Sequence, residues 1–161
     1  MFRSNLSLYQ IESTNFTYFV SPSPDSSNIC NYKDLLTTNK ITNVVRLCEP
    51  KYDKKFLNDA GIEVHDMFIE DGNVPSDDII KKWCDLIKHL QKSNVNNIVT
   101  HCVSGLGRAP FMVCLSLMIF DNIKSYDSIE YVRKIIKGSL NAKQVDFLMT
   151  YAKKTSSCCI C

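Results

Sequence analysis

The sequence contains no run of about 18 consecutive apolar residues, the length a membrane-crossing helix needs, so no spanning segment is expected. Its start, Met1-Phe2-Arg3-Ser4-Asn5-Leu6, leads into polar residues without the apolar stretch of a secretory leader, so none is expected either. Neither sign of charge dominates: 19 Lys and Arg face 17 Asp and Glu, a net charge of +2. That excludes a nucleic-acid binder working through bulk positive charge. Glycine and proline are scarce, five of each in 161 residues, which excludes a collagen-like chain. A hydrophobic content of 45% with 22% charged residues excludes a disordered tail protein. Internal repeats and low-complexity linkers are also missing, and the length suits a single core.

Cysteine is what the chain does have: eight, three of them among the last four residues. An even count in a short secreted chain would suggest a disulfide framework. Without a leader the expected setting is the reducing cytosol, where cysteines are catalytic, metal-binding, lipidated or simply core residues.

Residues 5–20 alternate and are rich in Tyr, Phe, Ile and Thr, which predicts two short strands, followed by turn chemistry at Ser21-Pro22-Ser23-Pro24-Asp25. A short helix is expected over 31–40 with Leu35 and Leu36 facing inward. Residues 42–48 read as a buried strand stopped by Pro50. A helix over 53–60 ends at Gly61, and a strand over 62–67 leads into the loop Glu70-Asp71-Gly72-Asn73-Val74-Pro75. Ile79, Ile80, Trp83, Leu86, Ile87 and Leu90 keep helical spacing, so 76–92 is an amphipathic helix capped by Ser76. Residues 97–101 form another buried strand, 109–120 a nearly all-apolar central helix, and 125–137 and 141–153 two further helices. Strands alternating with helices imply an α/β domain: a central, mostly parallel sheet flanked by helices on both faces. Ligands on such sheets bind beyond the carboxyl ends of the strands.

The segment His101-Cys102-Val103-Ser104-Gly105-Leu106-Gly107-Arg108-Ala109-Pro110 joins a buried strand to a buried helix. Two glycines allow a tight turn with N–H groups pointing inward, an anion-binding nest at a helix N-terminus. Such a nest favours thiolate over thiol at Cys102, making it a candidate nucleophile. Arg108 offers a planar fork for two phosphate oxygens. Pro110 falls in the first helical turn, where its missing N–H costs nothing. The glycines are not followed by Gly-Lys-Ser/Thr, so this is not a nucleotide P-loop. A buried structural cysteine is the competing reading. A zinc site is disfavoured, because His101-Cys102 has no second pair at ligand spacing and His65 and His89 stand alone.

The order His-Cys-x-x-Gly-x-Gly-Arg over 101–108 resembles the signature of the cysteine-dependent protein tyrosine phosphatases. Ala109-Pro110 narrows it, since most members carry Ser or Thr after the Arg, and the whole segment looks like the PRL (phosphatase of regenerating liver, type IVA) subfamily. Val44 to Glu49, Tyr52-Asp53, Asp71-Gly72, Pro75-Ser76, Asn141 to Gln144 and the terminal Cys158-Cys159-Ile160-Cys161 also resemble that family, so the likeness covers roughly 5–161. It implies a single-domain cysteine-phosphatase fold over 1–154 with a lipidation tail over 155–161.

The resemblance implies hydrolysis of phosphate monoesters on phosphoproteins, or on phosphoinositides, through a phosphocysteine and with no metal or cofactor. Cys102 would be the nucleophile. Val103, Ser104, Gly105, Leu106, Gly107 and Arg108 would bind the phosphoryl oxygens, and Asp71 would be the general acid. Glu70 is the alternative acid, because neighbouring carboxylates cannot be separated by sequence; a solvated turn is the plain reading of both. Cys48 matches a cysteine that forms a reversible disulfide with the nucleophile, with a core cysteine as the alternative. Glu49, Tyr52 and Gln144 match residues at or near the family's pocket, and Cys30, Cys84 and Cys114 read as inert core cysteines. The family usually has Trp-Pro upstream of its acid where this chain has Met67-Phe68. Ala109 lacks the hydroxyl that helps the cysteine leave, which predicts a slow second step.

Cys158-Cys159-Ile160-Cys161 has prenylation form, with Cys158 the acceptor, although a final Cys is atypical and the doubly prenylated C-x-C tail of Rab-type GTPases is also similar. The resemblance thereby implies the cytoplasmic face of the plasma membrane or of endosomes, with a cytoplasmic pool. Lys153-Lys154 is nearly the whole basic run, so one lipid chain would hold the inner leaflet weakly. The family also implies homotrimers and, as an alternative role, binding of CNNM-type magnesium transport mediators. A small-molecule thiol enzyme such as an arsenate reductase is a third class, against which Ala109-Pro110 argues.

Overall fold

The computed structural model describes residues 6–157, with side chains described as far as Tyr151. Strands β1 (Tyr9–Glu12) and β2 (Thr17–Pro22) form an antiparallel hairpin whose turn is closed by Ser13 N–H donating to Phe16 O at 2.9 Å. The other strands are β3 (Asn43–Arg46), β4 (Glu63–Asp66) and β5 (Asn97–Cys102), and the sheet order is β1-β2-β5-β3-β4. All pairs except β1–β2 are parallel, giving the mostly parallel α/β sheet expected.

Alternate residues on a strand face opposite sides of the sheet, and the core divides accordingly. Val45 and Ile98 join one cluster with Trp83 and Ile87 of α3 (Asp77–Lys92) and with Phe111, Met112 and Leu115 of α4 (Arg108–Phe120). Val44 and Val99 join the other, with Tyr32 and Leu36 of α1 (Ile29–Thr38) and Leu57 of α2 (Lys55–Asn58). Helices α5 (Ser125–Ile135) and α6 (Ala142–Ser157) complete the first face. From Arg108 to Leu117 every residue of α4 is buried, which is why that helix is apolar all round. Ser76 caps α3, its Oγ accepting from Ile79 N–H at 3.3 Å, and Trp83 Nε1 donates to Ser116 Oγ at 2.6 Å across the α3–α4 contact.

Several boundaries differ from expectation. Ser21-Pro22 belongs to β2 instead of the turn, with Pro22 opposite Cys102 at the strand's end, where a missing N–H is tolerated. β3 stops at Arg46, so Leu47 and Cys48 lead the chain off the sheet. α2 is one turn, held by Asp53 Oδ1 accepting from Lys55 N–H at 2.9 Å and closed at Gly61, whose φ of 77° only glycine adopts freely. Leu36 is buried but Leu35 only half-buried, and Cys30 is exposed on α1 instead of in the core. Cys84 is half-buried, and Cys114 is buried as expected, with its thiol pushed up to about 12 by burial. α6 continues to Ser157, past residue 153; the proposed lipid acceptor Cys158 and the residues after it lie outside the described residues. Among the described residues no helix is long and apolar enough to cross a membrane.

Candidate active site

The carboxyl ends of β3 and β5 lie side by side, with Arg46 opposite His101 and Leu47 N–H donating to His101 O at 3.0 Å. Cys102 ends β5 and is 1% exposed. The chain then turns through 103–107 into the first turn of α4. Outward-facing carbonyls fix that turn: Val103 O accepts from Ser23 N–H at 3.2 Å and Leu106 O from Leu140 N–H at 2.8 Å. Ser104 Oγ accepts from Leu106 N–H at 3.3 Å. Gly105 has φ 74°, and a Cβ there would lie 2.9 Å from the Ser21 carbonyl, so the position excludes every other residue. A Cβ at Gly107 would lie 3.3 Å from Gln144 Nε2, so that loop and α6 meet without a gap.

Arg108 is 4% exposed, and both arms of its guanidinium reach the 67–75 loop. Nη1 donates to Ile69 O at 2.8 Å and Nη2 lies 2.9 Å from Asp71 Oδ1. Asp71 is otherwise 91% exposed. Glu70 turns elsewhere, its Oε2 accepting from Asn73 Nδ2 at 3.1 Å. The geometry therefore separates the two carboxylates that the sequence left together. Cys48 is buried and lies within electrostatic reach of both Cys102 and Arg108; burial pushes its thiol up, a Ser23 hydrogen bond and Arg108 pull it down, and Cys102 adds to the rise. Glu49 is exposed.

Beneath this surface lies a network that sequence patterning missed. Arg46, 4% exposed, grips Asp66 with Nε at 2.6 Å and Nη2 at 3.3 Å, and donates from Nη1 to Tyr52 O at 2.8 Å. Its guanidinium also lies 4.8 Å from the Tyr52 ring centroid. Tyr52 OH meets His101 Nε2 at 2.9 Å, so Tyr52 supports the floor of the site from below. Burial, with Arg46 adding to it and Asp66 opposing, pushes the His101 imidazole down to about 3, so it is neutral next to Cys102. Asp66 loses ground to burial, but the hydrogen bonds from Arg46 and Lys54 outweigh that and hold it below the usual carboxylate range. The signal available in sequence was an Arg in the middle of an apolar strand, which needs a partner. Among the described residues no group of three or more His, Cys, Asp or Glu is gathered as a metal site.

A family model described as "Tc-R-P: Polymorphic toxin system, DSP-PTPase phosphatase" matches residues 22–121. A relative from Dictyostelium discoideum named "Probable protein tyrosine phosphatase type IVA B" is 36% identical over 152 residues, covering 92% of this chain and 91% of its own. The PRL-1 phosphatase of Drosophila melanogaster is 35% identical over 145 residues, covering 89% and 82%. The chain belongs to the PRL (type IVA) family of protein tyrosine phosphatases. A solved protein tyrosine phosphatase from Leishmania major superposes with a TM-score of 0.82 at 28% identity, covering 91% of this chain and 99% of that one. This PRL-family chain is accordingly a phosphatase of dual-specificity type, acting on phosphorylated substrates. Its Met67 is 5% exposed and Phe68 52%, so the Met67-Phe68 pair upstream of Asp71 sends one side chain into the core and one into solvent.

Proposed function

We propose that the protein hydrolyses phosphotyrosine and other protein phosphate monoesters, or phosphoinositides, in two displacements at Cys102. The Cys102 thiolate attacks phosphorus, the P–O bond to the leaving group breaks as the S–P bond forms, and Asp71 gives its proton to the departing oxygen. The N–H groups of 103–108 and the Arg108 fork hold the phosphoryl oxygens. Water then attacks phosphorus in the phosphocysteine, Asp71 takes its proton, and the S–P bond breaks to return the Cys102 thiolate and release inorganic phosphate. The observation that carries this reading is the meeting of Arg108 with both Ile69 O and Asp71 at the mouth of the Cys102 loop. Single-turnover hydrolysis of an aryl phosphate tests it. Cys102→Ser abolishes turnover, and Asp71→Ala slows poor leaving groups far more than activated ones; a wild-type rate in Cys102→Ser would end the proposal.

Oxidation would act at the same place. Peroxide converts the Cys102 thiolate to a sulfenic acid, the Cys48 thiol displaces hydroxide from it as the Cys48–Cys102 bond forms, and water leaves. Burial of both thiols at neighbouring strand ends supports this. An intramolecular disulfide that Cys48→Ser prevents is the expected result.

A binding role is supported by exposed apolar groups at the site: Val103 and Leu106, 45% and 41% exposed, project from the loop after buried Cys102. They suit a partner loop seated on the pocket, with a CNNM-type magnesium transport mediator as the family's candidate and a homotrimer as the family's assembly. Prenylation at Cys158, and with it residence on the inner leaflet of plasma or endosomal membranes, is read from the tail sequence. Metabolic labelling with a prenyl analogue, lost in Cys158→Ser, checks it.

A further inference from the structure

The 67–75 loop must carry its acid over the phosphoryl group, yet among the described residues the Asp71 carboxylate itself is paired only with Arg108. When a phosphate enters, the Arg108 Nη2 that pairs with Asp71 is needed by the phosphate. Another contact must then keep the carboxyl in place. The base of the loop is fastened to the end of β3 and the residue after it, Met67 N–H donating to Arg46 O and Ile69 N–H donating to Leu47 O, each at 3.0 Å. The tip, beyond Asp71, is held by α6.

Asn141 and Gln144 form a reciprocal capping box at the start of α6. Gln144 N–H donates to Asn141 Oδ1 at 2.9 Å, and Asn141 N–H donates to Gln144 Oε1 at 3.0 Å. Capping uses only the oxygen of each side-chain amide. The nitrogens are left over, and both point at the loop: Asn141 Nδ2 donates to Gly72 O at 3.0 Å and Gln144 Nε2 to Asn73 O at 3.2 Å. Lys143 Nζ adds a short bond to Asn73 Oδ1. A Ser-x-x-Glu box would cap the helix equally well but has no amide donors. The choice of two amides is therefore explained by the loop, not by the helix. Gly72 cooperates, its φ of 71° turning its carbonyl toward α6. The segment that carries the latch is itself held: Leu140, at φ 67°, has its carbonyl bound by Arg133 Nη2 at 3.0 Å while its N–H braces Leu106 O.

We infer that Asn141 and Gln144 are positioning residues that latch the acid loop shut by its Gly72 and Asn73 carbonyls, so that Asp71 stays over the leaving group after Arg108 has turned to phosphate. This rests on the assignment of Asp71 as the acid. Asn141 is the cleaner probe, because Gln144 also packs against Gly107. In Asn141→Ser the cap acceptor is kept and the latch donor is lost; Asn141→Asp does the same with a cap of similar strength.

Two measurements decide it. In the first, kcat for phenyl phosphate and for 2,4-dinitrophenyl phosphate is compared across wild type, Asn141→Ser, Asp71→Ala and the double variant. The expected result is a loss of about tenfold on the poor leaving group and less than about twofold on the activated one, with no further loss in the double variant. Where Asp71→Ala discriminates between the esters, equal slowing of both by Asn141→Ser, or none, overturns the latch. In the second, hydrogen exchange is read over 70–75 and over 142–151. Faster exchange in the loop with unchanged exchange in α6 is expected of Asn141→Ser, and an unchanged loop overturns the latch whatever the kinetics. If Asp71→Ala itself fails to discriminate between the esters while the loop does loosen, the acid assignment fails and the latch stands.

Discussion

Tyr52 is a single hydroxyl on which the floor of the site depends. Its OH is the 2.9 Å partner of His101 Nε2, and His101 is 0% exposed. Tyr52→Phe removes the partner and leaves the ring nitrogen buried and unpaired, at a cost of about 1–3 kcal/mol. A lower urea midpoint with an unchanged m-value is the expected measurement. Ala109, 0% exposed behind Arg108, is the opposite case, a group whose absence matters. Ala109→Ser supplies a hydroxyl for the departing Cys102 sulfur and should speed phosphocysteine breakdown by about tenfold without changing its formation; a quenched-flow burst separates the steps. Cys102 and Arg108 were legible as residues because their spacing encodes one loop. Asp71 and Glu70 were not separable, since adjacent carboxylates differ only in direction, and direction comes from Arg108 and Asn73, one 37 positions beyond Asp71 and the other three beyond Glu70. Cys30 misled for a related reason: one apolar-looking residue on a short helix has no periodicity to say which way it faces.

Elements were read well where burial imposes a period and poorly where it does not. Strand β5 and the i, i+3, i+4 pattern of α3 appear near their expected limits, because each buries a continuous stripe. α2 shrank because it buries little besides Leu57. The loop 101–108 is an element in its own right, fixed by long-range bonds from Ser23 and Leu140 that local patterning cannot register. Gly105 tests how rigidly it is fixed. Gly105→Ala combines an unfavourable φ of 74° with a methyl placed 2.9 Å from the Ser21 carbonyl. Backbone strain alone is worth about 1–3 kcal/mol, and the clash with β2 adds to it. Loss of aryl phosphatase activity is expected together with near-native far-ultraviolet circular dichroism, because β2 and β5 remain paired outside the loop. Full activity in this variant would show that the loop can take its working shape in another way.

For the molecule as a whole, the sheet brings a buried imidazole, a buried guanidinium and a half-exposed carboxylate into one layer, and this makes stability depend on pH. The groups around His101 are Tyr52 and Arg46 on the β3 side and Asp66 beyond them; Tyr32 packs its ring edge against it from α1. In the folded state its titration is pushed down to about 3, from an ordinary value of 6.5. Above that ordinary value both folded and unfolded chains carry a neutral ring, and pH has no effect through His101. Between the two values the unfolded chain binds a proton that the folded chain refuses, so stability falls as pH falls, by up to about 1.4 kcal/mol per pH unit. Below about 3 the loss levels off. Asp66 adds to the acid end, since a carboxylate held low by Arg46 and Lys54 contributes stability above 3.8 that is lost below it. Urea unfolding from about pH 7.5 down to about pH 4.5 should therefore give a stability that stays level to about pH 6.5 and declines below it. His101→Gln removes the imidazole while keeping a polar group for Tyr52, and should be less stable at neutral pH but flatter with acid, so that the two curves converge. Parallel curves would place the acid sensitivity in other groups, and would mean that the folded protein admits a proton at His101 through an opening that the closed β3–β5 layer does not provide.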